Sequence, residues 1–192
     1  MELKTAFREH VSLSDLEDFA GDRGWDFAGW EPATEVSPEE YVWRTSTNIS
    51  VHRISDELIG LHYLILTSAD RDALVDLHAD ISSRFDVLEW PEALEEARTS
   101  VDPLSKISSL SNLAACAPEE FDEGIFTLLN ERLLDSDDDV REVALIAICR
   151  IAWREFSSVL GNVITQDTNA NVRDLAETAL AVINGRYNGA QD

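Results

Sequence analysis

Asp135, Asp137 and Asp139 stand at alternate positions, the spacing of the first three oxygen ligands in a calcium-binding loop. The rest of that loop is missing, because Val140 stands where glycine is required and Ile146 where the bidentate glutamate should be. The three acids therefore read as a turn and a helix N-cap, where carboxylates accept from orphan amides and meet the positive end of the helix dipole. Four histidines are present, His10, His52, His62 and His78. A three-residue hairpin loop would bring His52 and His62 face to face, whereas a two-residue loop would set them on opposite faces, and neither register supplies a third metal ligand. Cys116 and Cys149 lie in apolar helical runs with no neighbouring His or Asn, so both read as reduced and inert. No phosphate-cradling glycine loop, His-Glu-x-x-His or Gly-x-Ser-x-Gly occurs. A non-enzymatic role is expected, with no catalytic residue, metal or cofactor.

Charge points the same way. The 192 residues carry 38 Asp and Glu against 15 Lys and Arg, a net −23. The excess is spread evenly, with 18 acids and 7 bases through Leu88 and 20 and 8 beyond it. Such a field disfavours nucleic acid and anionic membranes as partners, and it suits basic proteins, cations or a salty cytoplasm. Lys4 and Lys106 are the only lysines, a bias that fits a GC-rich or a halophilic genome. Met1 to His10 has no apolar core, and no stretch approaches the roughly 18 apolar residues of a membrane span, so a soluble cytoplasmic chain is expected.

The elements that must position these residues fall into two expected domains, 1–88 and 89–192. In the first, Ser14-Asp15-Leu16-Glu17 resembles a capping box opening a helix that Gly21 and Gly24 end. Residues 25–38 read as loop because of Gly29, Pro32 and Pro38. Alternating runs around Tyr41–Arg44, Ile49–His52 and Ile59–Ile65 predict a three-stranded antiparallel meander, the third strand being apolar on both faces and hence central or under a helix. Ser68 then caps a helix to about Phe85, with Leu74, Leu77 and Ile81 on one side. The expected fold class is α+β, with this helix–meander–helix unit followed by an all-α region.

Beyond Trp90 six helices are predicted, joined by short turns into three antiparallel pairs. They open near Pro91, at Asp102-Pro103, at Pro118-Glu119-Glu120, at Asp139 with Glu142 completing a box, at Glu155, and at Asn171. Gly185 falls where a C-terminal cap would stand. Two of these helices share a motif. Asp139-Val140-Arg141-Glu142-Val143-Ala144 returns as Asn171-Val172-Arg173-Asp174-Leu175-Ala176, an offset of 32 residues that belongs to stacked helical arrays.

Asp/Asn-Val-Arg-x-x-Ala-x-x-Ala-Leu after an Asp-rich turn resembles the HEAT-like repeat of the bilin-lyase type. Two units, about 121–153 and 153–183, carry the pattern; the pair at 91–117 has Pro103-Leu104 in place of Val-Arg, and Cys149-Arg150 stands where many members have glycine. The resemblance implies a HEAT-like solenoid with a ladder, Asp139, Arg141, Asn171 and Arg173, that ties each arginine to the aspartate of the next unit. Chromophore lyases, DNA-repair glycosylases, scaffolds and toxin-neutralising proteins share this repeat.

Comparing the two units exposes a difference. Leu145 and Ile146 align with Glu177 and Thr178, so the earlier helix is apolar where the later one is polar. Either the first domain covers these residues, or they form an exposed apolar patch rimmed by acid. With Arg150, Trp153 and Arg154 at the following turn, Glu142 on the same helix and Glu177 on the sixth, they are the candidate interface. The expected function is an acidic, non-catalytic interaction module of inhibitor or immunity type that neutralises a basic protein, with no small-molecule ligand. The alternatives are an accessory subunit or chromophore-lyase-like protein, and a halophilic housekeeping scaffold.

Overall fold

The computed structural model describes residues 1–34 and 37–188. The chain divides into two compact units, Met1–Glu89 and Trp90–Asp192, a boundary one residue later than the sequence suggests. All strands lie in the first unit, together with two helices, the second is all helical, and the sheet is antiparallel throughout.

The first unit runs β1 Glu2–Phe7, α1 Leu13–Asp22, β2 Asp26–Glu31, β3 Glu39–Arg44, β4 Ser50–Asp56, β5 Leu61–Thr67, α2 Arg71–Arg84 and β6 Val87–Leu88. The strands form one six-stranded sheet in the order β2-β3-β4-β5-β1-β6. The predicted meander is its centre, β3-β4-β5. It is not the whole sheet, which corrects the three-stranded expectation. β2 lies inside the stretch read as loop: Gly29 sits at a register shift between Phe27 and Gly29, so the glycine marks a bulge and does not break the strand. β5 is central, between β4 and β1, which explains its apolar residues on both faces.

Register sorts the side chains into rows. Leu3, Leu66, Val51 and Trp43 are successive cross-strand neighbours on one face. They join a core with Leu16, Phe19 and Ala20 of α1 and Leu74 and Ile81 of α2. The helix caps differ from expectation. Ser12, not Ser14, caps α1, in a reciprocal box with Asp15. Asp70, not Ser68, caps α2. In both cases the cap is the residue whose oxygen reaches the free first-turn amides. Arg23 at the end of α1 grips Asp80 of α2 through both carboxylate oxygens, and its guanidinium carbon lies 3.5 Å from the centre of the Phe19 ring.

The second unit holds α3 Trp90–Thr99, α4 Pro103–Cys116, α5 Glu123–Arg132, α6 Asp138–Ile151, a 3-10 turn Arg154–Phe156, α7 Ser157–Gln166 and α8 Ala170–Asn188. α3 packs on α4, α5 on α6 and α7 on α8, and the second members also pack in series, α4 on α6 and α6 on α8. The repeated alanines explain this closeness. Ala144 and Ala147 in α6 and their counterparts Ala176 and Ala179 in α8 are all completely buried, and methyl-sized side chains let backbones approach.

Several starts move. α5 begins at Glu123 behind Asp122 and not at Pro118, because the Asp122 carboxylate accepts the Ile125 amide at 2.9 Å. The helix expected from Glu155 is a 3-10 turn followed by α7. Gly185 lies inside α8 and caps nothing. Asp122→Ala should cost about 1 kcal/mol, read as a lower urea midpoint at unchanged slope; an unmoved midpoint would deny the cap any weight. Among the described residues, no helix is long and apolar enough to cross a membrane.

Candidate interaction surface

The candidate residues are positioned by the turns that precede α6 and α8, which are built alike. Asp135 Oδ1 accepts from the Asp137 amide at 3.1 Å, and Asp137 Oδ1 accepts from the Asp139 amide at 3.0 Å. Thirty-two positions on, Asp167 Oδ1 accepts from Asn169 N and Asn169 Oδ1 from Asn171 N, both at 2.8 Å. The caps are thus Asp137 and Asn169, two residues ahead of Asp139 and Asn171. Carboxylate oxygens that looked like calcium ligands are spent on the turn's own amides.

The ladder exists with different acids. Arg141 donates from Nε and Nη2 to the two oxygens of Asp167, at 2.9 and 3.1 Å, and from Nη1 to the Asp135 carbonyl at 2.9 Å. Arg173 repeats the last bond, donating to the Asp167 carbonyl at 2.9 Å. Asp135 in turn accepts from Lys106 Nζ at 2.7 Å. The carboxylate rungs are therefore Asp135 and Asp167, and neither Asp139 nor Asn171 takes part. Asp139 and Asn171 are too far into their helices, whereas the residue two before each cap hangs over the preceding pair.

Lys106 escaped the sequence reading, although a signal was there. It lies four residues after its cap, Asp102, as Arg141 lies four after Asp137 and Arg173 four after Asn169. Aligning on caps, and not on the Val-Arg dipeptide, places the lysine in the first rung. Electrostatics follows the geometry. The Lys106 hydrogen bond and the Asp137 amide hold Asp135 below the usual carboxylate range. At Asp167 burial pulls upward, but hydrogen bonds from Arg141 and the Asn169 amide, with the charges of Arg141 and Arg173, bring it lower still than an ordinary aspartate.

The candidate interface does not form one exposed patch. Leu145 is completely buried and Trp153 is 2 % exposed, which overturns the exposed-patch alternative for both. Trp153 stacks on Phe156 at an interplanar angle of 2°, meets Phe121 at 5.3 Å between centroids, and donates from Nε1 to the Glu119 carbonyl at 3.0 Å. It is a core residue of an aromatic cluster. Glu142, Ile146 and Arg150 are half-buried; Arg154 and Glu177 are exposed. Cys149 is pushed up to about 11 by burial, against a weaker opposite pull from Arg150, so its thiol stays protonated at neutral pH.

A surface feature that the sequence did not announce lies between α5 and α7. A groove of about 630 Å³ is lined by Asn130, Leu134, Val159, Val163 and Gln166, with Arg141 and Asp167 of the ladder beside them. Leu134 is 85 % exposed. Both helices present their C-terminal ends here, where free carbonyls carry partial negative charge.

The histidines separate. β4 pairs His52 with Ile65 and Ser55 with His62, so a four-residue connection sets His52 and His62 on opposite faces. His52 Nδ1 lies 2.6 Å from Glu40 Oε1, and the His62 ring meets His10 edge-on at 5.3 Å. No family model, no curated protein and no solved structure matches this chain.

Proposed function

We propose that this chain is a non-catalytic, acidic protein-interaction module, and that its second unit is a HEAT-like solenoid of three helical pairs. Its role would be to bind and neutralise a basic protein in the cytoplasm. One observation carries the reading: five of the eight cations of the helical unit are engaged by that unit's own carboxylates and carbonyls. Lys106 and Arg141 are held by carboxylates across helices; Arg132, Arg173 and Arg186 donate to the carbonyls of Ala97, Asp167 and Ile151. Exposed acids such as Glu95, Glu123, Glu131, Glu155, Asp174 and Glu177 then set the outward field of the helical unit. A −23 chain with several of its bases held by its own scaffold carries a net negative field, which steers basic partners and repels acidic ones.

The continuous packing α4-α6-α8 and the repeated rung geometry support the solenoid reading, since each unit is tied to its neighbour by the same kind of bond. Exposed Leu134 beside the α5–α7 groove supplies an apolar anchor within the acidic surface. Affinity capture from the native host's lysate at low and high salt, with mass spectrometry, tests the function. A single basic protein retained at low salt and released at high salt is expected. Retention of a small molecule, or of an acidic protein, would favour the accessory or lyase alternative.

A further inference from the structure

Among the described residues, the first unit contains a buried charge with no carboxylate bonded to it: the Arg53 guanidinium carbon lies 6.0 Å from the centre of the Tyr41 ring, and Glu39 acts on it through space. Arg53, in the middle of β4, is only 5 % exposed, and its Nε has no hydrogen-bond partner. A guanidinium taken out of water without a partner is among the costlier features a fold can hold, so a buried one without hydrogen bonds points to a ligand that supplies them. Its neighbours on the same face of the sheet sharpen this. Arg53 is directly opposite Leu64 on β5 and Tyr41 on β3, and the next row along holds Glu39, Ser55 and His62. His62 is thus a diagonal cross-strand neighbour of Arg53, within reach for long side chains. Its Nδ1 is a second buried nitrogen without a hydrogen-bond partner. Arg53, His62 and Ser55 thus occupy adjacent rows of one sheet face, two of them with an unpartnered nitrogen.

We infer that this place is a binding site for a small oxyanion, a carboxylate or a phosphate group, held by Arg53 Nε and His62 Nδ1 with the Ser55 hydroxyl between them. The guanidinium fork matches the paired oxygens of either group. Glu39 is the carboxylate that acts on Arg53 through space, and its Oε1 is engaged by Trp30 Nε1 at 3.2 Å. It offsets part of the Arg53 charge without filling the hydrogen bonds. Burial together with the Arg53 and His10 charges lowers the His62 pKa, so the ring is neutral at pH 7 and donates one N–H. His10, whose ring meets His62 edge-on, is exposed, and His62 is half-buried. This inference concerns the first unit's sheet and does not rest on the function proposed above.

Thermal unfolding of the full chain at pH 7 and constant ionic strength tests it, with sodium phosphate or sodium acetate replacing sodium chloride. A rise in Tm that grows with the logarithm of the anion concentration above Kd is expected with at least one of them; at ten times Kd the folding equilibrium constant should be about 11-fold higher. A response to phosphate assigns a phosphate-bearing ligand, and a response to acetate a carboxylate. Arg53→Met should abolish the response while raising Tm in chloride, because an apolar side chain replaces an unpaired buried charge. His62→Gln, which keeps the sheet's charge unchanged, should weaken the apparent affinity about tenfold and guards against an Arg53 variant that does not fold. A flat Tm for the parent chain in both anions, or an equal rise in Arg53→Met, would overturn the assignment.

Discussion

Arg141→Met should destabilise the helical unit by about 3 kcal/mol, the scale expected when one partner of a buried ion pair is removed. The residue is 8 % exposed, makes two bonds to Asp167 and one to the Asp135 carbonyl, and pairs with Asp138 Oδ1 at 2.8 Å. Its loss takes the guanidinium bonds from a largely buried carboxylate, leaving Asp167 with the Asn169 amide and the charge of Arg173, and removes a donor from the Asp135 carbonyl. Arg141→Lys keeps the charge and loses the fork, so it should fall between the two. Urea unfolding at pH 7 checks the order, and a midpoint shared by all three proteins would remove the ladder from the list of things that hold the unit together. The acid limb gives a second readout. Asp135 and Asp167 are lower in the folded chain than in the unfolded one, so their contribution is complete above the unfolded value of about 4 and disappears as pH falls through their folded values. In Arg141→Met the burial of Asp167 is no longer outweighed. That variant should lose less on acidification than the parent, because part of the loss has already occurred.

Trp153→Ala carries the second large effect, about 3–5 kcal/mol, the range for truncating a buried large aromatic. Two rings meet it, Phe121 and Phe156, and Phe126, 4.9 Å from Phe156, completes the cluster. Trp153→Phe preserves ring contact and gives up the hydrogen bond to Glu119, so it should lose roughly 1 kcal/mol plus the area difference. The two readings of this residue make opposite demands. As a core residue it changes stability and leaves affinity per folded molecule unaltered. As an interface hot spot it would change affinity by tenfold or more at unchanged stability. The first result is expected.

How far the sequence could be read depended on which signal each element carries. The core strands β3, β4 and β5 alternate over six or seven residues, and periodicity found them. β1 is Glu-Leu-Lys-Thr-Ala-Phe, with too little contrast between its faces to stand out; what makes it a strand is pairing with β5 from Glu2 to Ala6. β2 was hidden by Gly29, whose bulge lets Trp30 come opposite Tyr41. Helix existence was legible throughout the second unit, and the Asp102 cap of α4 stands where expected; the starts of α5 to α8 slipped by two or more residues, because Asp and Asn occur at several adjacent turn positions and only geometry shows which oxygen reaches an amide. The ladder was legible as arginines and not as acids. Arg141 and Arg173 follow from the motif, but Asp135 and Asp167 precede it, and Lys106 sits in a unit whose dipeptide signature is gone. Leu145 looked like a surface anomaly by comparison with Glu177; its complete burial means that aligned positions in neighbouring repeats meet different surroundings. Arg53 gave no sign at all, since a lone arginine in an alternating strand reads as solvent-facing until the register puts it on the packed side.

The most direct test of the acidic-module account is the salt dependence of affinity for the captured partner, measured with purified proteins between about 50 and 500 mM KCl. Charge-led association predicts a Kd that weakens by tenfold or more across that range, mostly through a slower on-rate, because screening shortens the reach of the exposed acids. A Kd that holds constant across the series would contradict it and leave apolar contacts alone to explain binding.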